Sequence, residues 1–375
     1  MSEQQADYII IGAGIAGASI AYWLSQYGRV IVLERETQAG YHSTGRSAAL
    51  FMESYGPPQV RKLTCASRAF FERPPAGFCD HPLLSPRGAL LFARRGQEAQ
   101  LDAHEALVRS VSRNVEHLDA LETCRRVPVL RPENLLGAVY EADASDIDVH
   151  ALHQGFLRGA RRNGSELVND AEVRCVKRVA GVWDVITHHG IHRAPVLINA
   201  AGAWADTIGA LAGAASIGLV PKRRSAFLFA PPQGVDASRW PTFMDLDQSF
   251  YVKPDARMLL GSPANADPVG PHDVQAEELD IAIAIDRIQS MTTLNVGRPS
   301  HVWAGLRSFV ADGELVGGFD PVVPGLFWAA GQGGYGIQTS PAAGQVFAAL
   351  LRALPVPEQI AKFGVDAAAL GPARL

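Results

Sequence analysis

Two arginines stand in apolar company: Arg224 in Arg224-Ser-Ala-Phe-Leu-Phe229, and Arg307 in Trp303-Ala-Gly-Leu-Arg-Ser-Phe309. A guanidinium in such surroundings is costly unless it is paired. Its planar fork matches a carboxylate, supplied either by the protein or by a ligand. Arg223 is adjacent, but strand alternation points it to the opposite face. Tyr251, ahead of Val252-Lys253, offers a phenol to the same anion or serves as a half-buried core residue. His42, His81 and His153 show no partner along the chain and read as solvated or core residues. Cys65, Cys79, Cys124 and Cys175 are scattered, without CxxC or metal spacing. They read as free thiols of a reducing, cytoplasmic compartment, and no metal site is expected.

A second chemical feature opens the chain. Tyr8-Ile-Ile-Ile11 suits a buried parallel strand. Gly12-Ala-Gly14-Ile-Ala-Gly17 follows at once, then a helix expected over 18–27 and closed by Gly28, then the strand Val30-Ile-Val-Leu33 ending at Glu34. In this order Gly12 allows the tight turn, Gly14 the approach of a pyrophosphate, and Gly17 close helix–strand packing. The helix N-terminus presents free N–H groups to phosphate. Glu34, 20 residues after Gly14, is placed to accept ribose hydroxyls, which disfavours a 2′-phosphate. FAD and NAD both remain open on this motif.

The elements that position these residues run the length of the chain. Gly40-Tyr-His-Ser-Thr-Gly-Arg-Ser-Ala-Ala49 is rich in small and hydroxylated residues. A strand leads through Ala194-Pro-Val-Leu-Ile-Asn-Ala-Ala-Gly-Ala-Trp204. Leu326-Phe-Trp-Ala-Ala-Gly331 leads into Gln332-Gly-Gly-Tyr-Gly-Ile-Gln-Thr-Ser340, with a helix expected over 342–351. Two glycine-rich strand-to-helix turns more than 300 residues apart suggest one long cofactor held from both ends. Strands are expected over 223–229 and 250–253, and a helix over 277–291.

Composition agrees with a folded, globular chain. The 375 residues are 47% hydrophobic and 19% charged, with a net charge of −4, which excludes a disordered chain and any strong pull toward nucleic acid. Tyr8 to Leu24 carries no charge, but its glycines and an acidic, lysine-free lead read as strand and helix, without an integral membrane segment.

These four segments, in this order, resemble the FAD-dependent D-amino acid oxidase superfamily, which includes glycine oxidase and sarcosine oxidase. The likeness covers essentially the whole chain. Pro221-Lys-Arg-Arg-Ser-Ala-Phe227, Leu260-Gly-Ser-Pro-Ala-Asn-Ala-Asp-Pro268 and Trp303-Ala-Gly-Leu-Arg-Ser-Phe-Val-Ala-Asp312 are similar within it to the bacterial D-arginine dehydrogenases. The resemblance implies an α/β fold: a Rossmann-like FAD-binding domain (1–76, 146–217, 322–375) interleaved with a substrate domain (77–145, 218–321) on a mixed, largely antiparallel sheet. It implies non-covalent FAD, since no cysteine falls in a matching flavin-facing segment. The implied cofactor set is Gly12, Gly14, Ile15, Ala16, Gly17, Glu34, Arg35, Ser43, Thr44, Arg46, Ser47, Ala48, Val173, Ala201, Gly202, Trp204, Gly331, Gly333, Gly336, Ile337, Gln338 and Thr339. Arg224 and Arg307 match the carboxylate-binding arginines, and Tyr251 a substrate-facing phenol. Tyr55 matches a mobile loop, Gly334 a carbonyl that accepts from the substrate amine, and Tyr335 a lid.

Three departures bear on specificity. Ala89 stands where the D-arginine dehydrogenases have a glutamate, Leu50 where they have a histidine, and Met52 where they have a threonine. Each makes the pocket more apolar. The expected substrate is therefore a neutral or apolar D-amino acid, oxidised to the 2-oxo acid and ammonia, with a quinone-type acceptor or oxygen taking the electrons. Glu53 is a candidate replacement anchor, although a solvated loop charge is the expectation. The competing readings are a secondary amine or 2-hydroxy acid on the same fold, a flavin-binding electron-transfer subunit, and an NAD-linked dehydrogenase.

Overall fold

The structure, a computed structural model, describes residues 2–375. Two sheets organise it. The first has six strands in the order Glu166–Val168, Val30–Leu33, Tyr8–Ile11, Val196–Asn199, Leu326–Ala330, Val316–Phe319. The first five are parallel and the last is antiparallel. Their β-branched and aromatic runs are buried on both faces, as parallel strands require. One face is covered by the helices Ile15–Leu24 and Gly336–Leu351. The other is covered by a four-stranded sheet whose Trp183, Val185 and Ala194 complete the core. Helix contacts are close because glycine permits it: a Cβ on Gly344 would lie 2.8 Å from Ser19 Oγ.

The second sheet holds nine strands, drawn from residues 89–141 and 220–309. Its longest pairing, antiparallel, joins Val220–Phe229 to the edge strand His301–Phe309. One face is sealed by the helix Glu278–Met291, whose Ile281, Ala284 and Ile288 pack with Phe227 and Leu259. The opposite face looks onto the first sheet's glycine turns.

Local expectations differ from the structure at informative places. The first helix spans Ile15–Leu24, not 18–27. It starts directly on Gly14, and Gly28 closes no helix but a turn against Asp7. The helix expected over 342–351 starts at Gly336, six residues earlier, and contains Pro341. The ring displaces the usual donor to the Ile337 carbonyl, which accepts instead from Ser340 Oγ at 2.9 Å. The Pro341 carbonyl accepts from Trp23 Nε1 at 3.2 Å. Val316–Phe319, grouped by sequence with the substrate segment, pairs as a hairpin with Leu326–Ala330 in the first sheet. The strands expected over 223–229 and 250–253 span Val220–Phe229 and Tyr251–Asp255. The four cysteines are free thiols. Among the described residues no helix is long and apolar enough to cross a membrane.

Candidate active site

Three connected cavities run between the two sheets. The first is a groove of about 1200 Å³ including its mouth, lined by Gly12, Gly14, Ile15, Ala16, Glu34, Arg35, Ser43, Thr44, Val173, Ala201, Gly202 and Trp204. Gly12 has φ +101°, and a Cβ there would lie 2.4 Å from the Ala200 carbonyl oxygen. A Cβ on Gly17 would lie 1.9 Å from the Gly12 carbonyl, so Gly17 packs the turn and does not line the groove. Gly14 caps the helix Ile15–Leu24 without a side-chain bond, leaving N–H groups for an anion. Glu34 is buried, accepting from the Ala13 amide at 2.8 Å and the Glu36 amide at 3.0 Å. Burial raises its pKa, and those two amides oppose the rise. Thr44 Oγ1 accepts from the Ile15 amide at 3.0 Å. Trp204 lies between the Arg35 guanidinium and the His42 ring, each 4.8 Å from it.

His153, read from sequence as solvated or core, is buried with Nε2 2.8 Å from the Ala13 carbonyl. Burial lowers its pKa, so it is a neutral donor that steadies the glycine turn. Nothing local in the sequence pointed to that contact across 140 residues.

The groove opens into a middle chamber shared by Ser43, Thr44, Arg46, Ser47, Ala48, Gly305, Arg307, Gly333, Gly334, Gly336 and Ile337. Ser43 Oγ donates to the Leu306 carbonyl at 2.6 Å. Arg46 turns its head to Asp273 at 2.5 Å and to the Val274 and Ala304 carbonyls, fastening the 43–48 segment to the second sheet. The helix Gly336–Leu351 presents its N-terminus to this chamber through Gly336 and Ile337. Gln332 was quoted within its motif but not singled out. Its Nε2 is buried without a partner and its side chain lines both groove and chamber. A buried amide donor left open beside a glycine-lined cradle fits a long dinucleotide that brings its own acceptors. Gly331 and Thr339 do not line the space. Gly331 ends a strand with φ +64°, and Thr339 donates to the Tyr335 carbonyl at 2.9 Å inside its helix. Gln338 reaches the far chamber, but its side chain bonds the Met52 amide and Thr64.

The far chamber, about 750 Å³ with its mouth, continues from the middle one through Arg224, Arg307, Tyr251 and Gly334. Antiparallel pairing sets Arg224 opposite Gly305 and Lys222 opposite Arg307, so both arginines project from one face two residues apart. Arg223 projects from the other face, where Asp280 at 2.8 Å, Asp267 at 3.6 Å and Glu277 neutralise it. The cavity arginines bond only neutral groups: Arg224 Nε the Asn265 carbonyl at 2.6 Å, and Arg307 Nη1 the Tyr55 phenol at 3.3 Å. Among the described residues neither meets a carboxylate. Burial, and then the neighbouring Arg307 charge, push Arg224 down to about 10. A Cβ on Gly334 would stand 3.0 Å from Arg307 Nη1 and 3.2 Å from the Tyr55 hydroxyl. The Tyr55 and Tyr335 rings meet edge-on at 5.1 Å, and Phe309 backs Tyr335 at 6.1 Å. Tyr335 thus braces Tyr55 and is not itself a wall of the chamber.

Leu50, Met52, Met244, Phe250 and Ala264 make the far chamber apolar. Lys253 lines it too, with Nζ bound to the Ala48 carbonyl at 2.8 Å and Asp146 at 3.0 Å. The Thr242 hydroxyl, which sequence reading missed, is buried there without a partner. No histidine, aspartate or glutamate is among the lining residues. Two expected pocket residues lie elsewhere. Ala89 is fully buried and does not line the chamber: it stands opposite the lining Thr242 on the next strand and packs with Met52 and Leu91. Glu53 is neither solvated nor an anchor in the chamber: it is 7% exposed and paired with Arg68 at 2.8 Å. A buried carboxylate needs a partner, and the helix Pro58–Glu72 supplies one.

Comparison with known proteins places this architecture. The family model described as DAO, FAD dependent oxidoreductase, matches residues 7–350. A glycine oxidase of Bacillus licheniformis is 27% identical, over 93% of this chain and 94% of its own. The mitochondrial dimethylglycine dehydrogenase of Rattus norvegicus is 26% identical over 70% of this chain. The chain matches only 31% of that longer protein's length. Among solved structures, glycine oxidase from Geobacillus kaustophilus superimposes with TM-score 0.81 at 23% identity, covering 97% of this chain and 99% of that one. Likeness at that identity is likeness of fold. The expected superfamily and its cofactor are thus those found, and the chain belongs to the DAO family of FAD-dependent oxidoreductases.

Proposed function

We propose that this enzyme oxidises free α-amino acids of D configuration with neutral or apolar side chains, yielding the 2-oxo acid and ammonia. The observation that carries the reading is the pair Arg224 and Arg307, which meet no carboxylate among the described residues, where the middle chamber joins an apolar one. An α-carboxylate on that pair receives a planar fork in a site already emptied of competing anions. Tyr251 and Tyr55 add phenols beside it. The Gly334 carbonyl is the candidate acceptor for the substrate amine. FAD bound between the two sheets would supply the acceptor for the hydride lost from Cα. Water then hydrolyses the resulting imino acid.

Gly12, Gly14 and Glu34 would hold the nucleotide end, and Ser43, Thr44, Gln332 and Gly333 the middle of the cofactor. No histidine, aspartate or glutamate lines the substrate chamber, which suits a substrate that binds with its amine already neutral. A cationic side chain finds no carboxylate on the far wall and meets Lys253 there. That supports neutral substrates over D-arginine, on different grounds from the Ala89 substitution. A secondary amine is the second reading, favoured by the dimethylglycine dehydrogenase and glycine oxidase names among the relatives.

The test is anaerobic bleaching of the purified yellow protein by D- and L-amino acids, sarcosine and 2-hydroxy acids. Neutral D-amino acids should bleach the flavin fastest. Fastest bleaching by D-arginine would overturn the side-chain preference, and fastest bleaching by sarcosine would move the assignment to secondary amines. The orphan Thr242 hydroxyl yields a related expectation. An apolar side chain covering it leaves a buried donor unsatisfied, at a cost of about 1–3 kcal/mol. Thr242→Val should therefore raise kcat/KM for D-leucine or D-phenylalanine by about 5-fold or more. Unchanged or lower values for both substrates would show that this hydroxyl does not face the side chain.

A further inference from the structure

The loop that delivers Met52 and Tyr55 to the far chamber has little regular structure of its own, only the two-residue strand Leu50–Phe51 before it. It is fastened from both sides at the two residues between them. On one side stands Glu141, the last residue of the strand Leu135–Glu141 in the nine-stranded sheet and 1% exposed. One of its oxygens accepts from the Glu53 amide at 3.0 Å, and the other from Ser54 Oγ at 2.5 Å. On the other side the Glu53 carboxylate accepts from Arg68 Nε at 2.8 Å, and that guanidinium lies 4.8 Å from the Phe51 ring. A charged acceptor with two loop donors is the strong kind of hydrogen bond, and it is directional.

We propose that Glu141 is a positioning residue for the substrate site: by holding Glu53 and Ser54 it fixes the Tyr55 phenol against Arg307 and Met52 against the substrate side chain. The inference rests on the proposed function for what the loop contacts, but the anchoring itself does not.

The proton state of Glu141 then matters. Burial raises it to about 7; the Ser54 hydrogen bond opposes that rise and the nearby Glu53 charge adds to it. From the helix Pro58–Glu72 it is faced by Cys65, whose thiol burial pushes up to about 12, while Arg68 of that helix is paired with Glu53 and Glu72. The neighbouring strands set Ala89 and Val115 opposite it, neither of them titratable. Asp143, two residues on, is turned to Asn114. Above about pH 7 the ionised group accepts from both loop donors. Below it, the added proton occupies one oxygen and one bond is lost.

KM for the amino acid should therefore rise as pH falls through about 7, with kcat little changed. Glu141→Ala should raise KM about tenfold at pH 8 with kcat within about twofold. Glu141→Gln keeps one acceptor, as the protonated acid does; its KM should stay near the wild type's low-pH value at every pH, below that of Glu141→Ala, with no step near pH 7. Hydrogen–deuterium exchange of residues 50–57 reads the anchor without any turnover. Faster exchange confined to that segment in Glu141→Ala supports the proposal even if the substrate class proves wrong. Wild-type exchange there, or a KM step that persists in Glu141→Gln, would overturn it. So would a loss of melting temperature and flavin content with KM unchanged.

Discussion

Arg307→Leu should lower kcat/KM for the amino acid substrate by about 10²- to 10³-fold while the protein stays yellow and folded. Removing one member of a buried, hydrogen-bonded charge pair costs about 2–5 kcal/mol, and each 1.4 kcal/mol is a tenfold change. The guanidinium projects from the strand His301–Phe309 and bonds only the Tyr55 phenol, so its loss leaves the sheet pairing intact. Arg307→Lys should recover little, because a point charge does not reproduce the fork. Arg224→Leu should follow the same direction with a smaller effect, since its Nε is already committed to the Asn265 carbonyl. Steady-state kinetics with flavin content measured alongside decide the matter. A loss below about tenfold in Arg307→Leu would mean that the substrate carboxylate binds elsewhere.

The second large effect lies at the opposite end of the site. Gly12→Ala introduces a Cβ 2.4 Å from the Ala200 carbonyl oxygen at φ +101°, backbone against backbone on two adjacent strands. Neither partner has a rotamer to yield, and a residue held in such a region costs about 1–3 kcal/mol before any clash. The variant should purify colourless, with a melting temperature lowered by about 5 °C or more. Gly14→Ala separates the two roles of the turn. Its Cβ meets only Thr44 Oγ1, at 3.3 Å, and its φ of −70° suits any residue. Apoprotein stability should therefore be kept while FAD affinity falls, because the side chain stands where the phosphates approach. A yellow Gly12→Ala protein with wild-type melting would refute the assigned geometry of this turn.

The two tests also weigh the neighbouring groups. His153 and Glu34 hold the Ala13 carbonyl and amide from opposite sides, so the turn is constrained before any cofactor arrives. Such preorganisation lowers the ordering cost of binding.

Some of this was written into the chain itself. The β-branched run, the three glycines and Glu34 specify a strand–turn–helix–strand unit whose contacts are local, so spacing alone conveys them. Alternation separated Arg223 from Arg224 without reference to any other strand, because a strand's side chains have period two. The apolar neighbours of Arg224 and Arg307 marked them as cations needing an anion. What spacing could not convey was the partner of each buried polar group. Whether Arg307 meets Arg224 depends on the register of strands some 80 residues apart in the chain. Whether Glu53 is solvated depends on Arg68 and on Glu141, 88 residues away. His153, Gln332 and Thr242 carry no sequence mark, since a histidine, a glutamine or a threonine is ordinary until the fold buries it. Ala89 shows the converse: resemblance assigned it to the pocket, yet it is fully buried against Met52 and Leu91 and does not line the chamber. Local geometry is set by backbone sterics that a short segment contains entirely. Charge pairing and cavity walls are set by packing between segments that only the folded chain brings together.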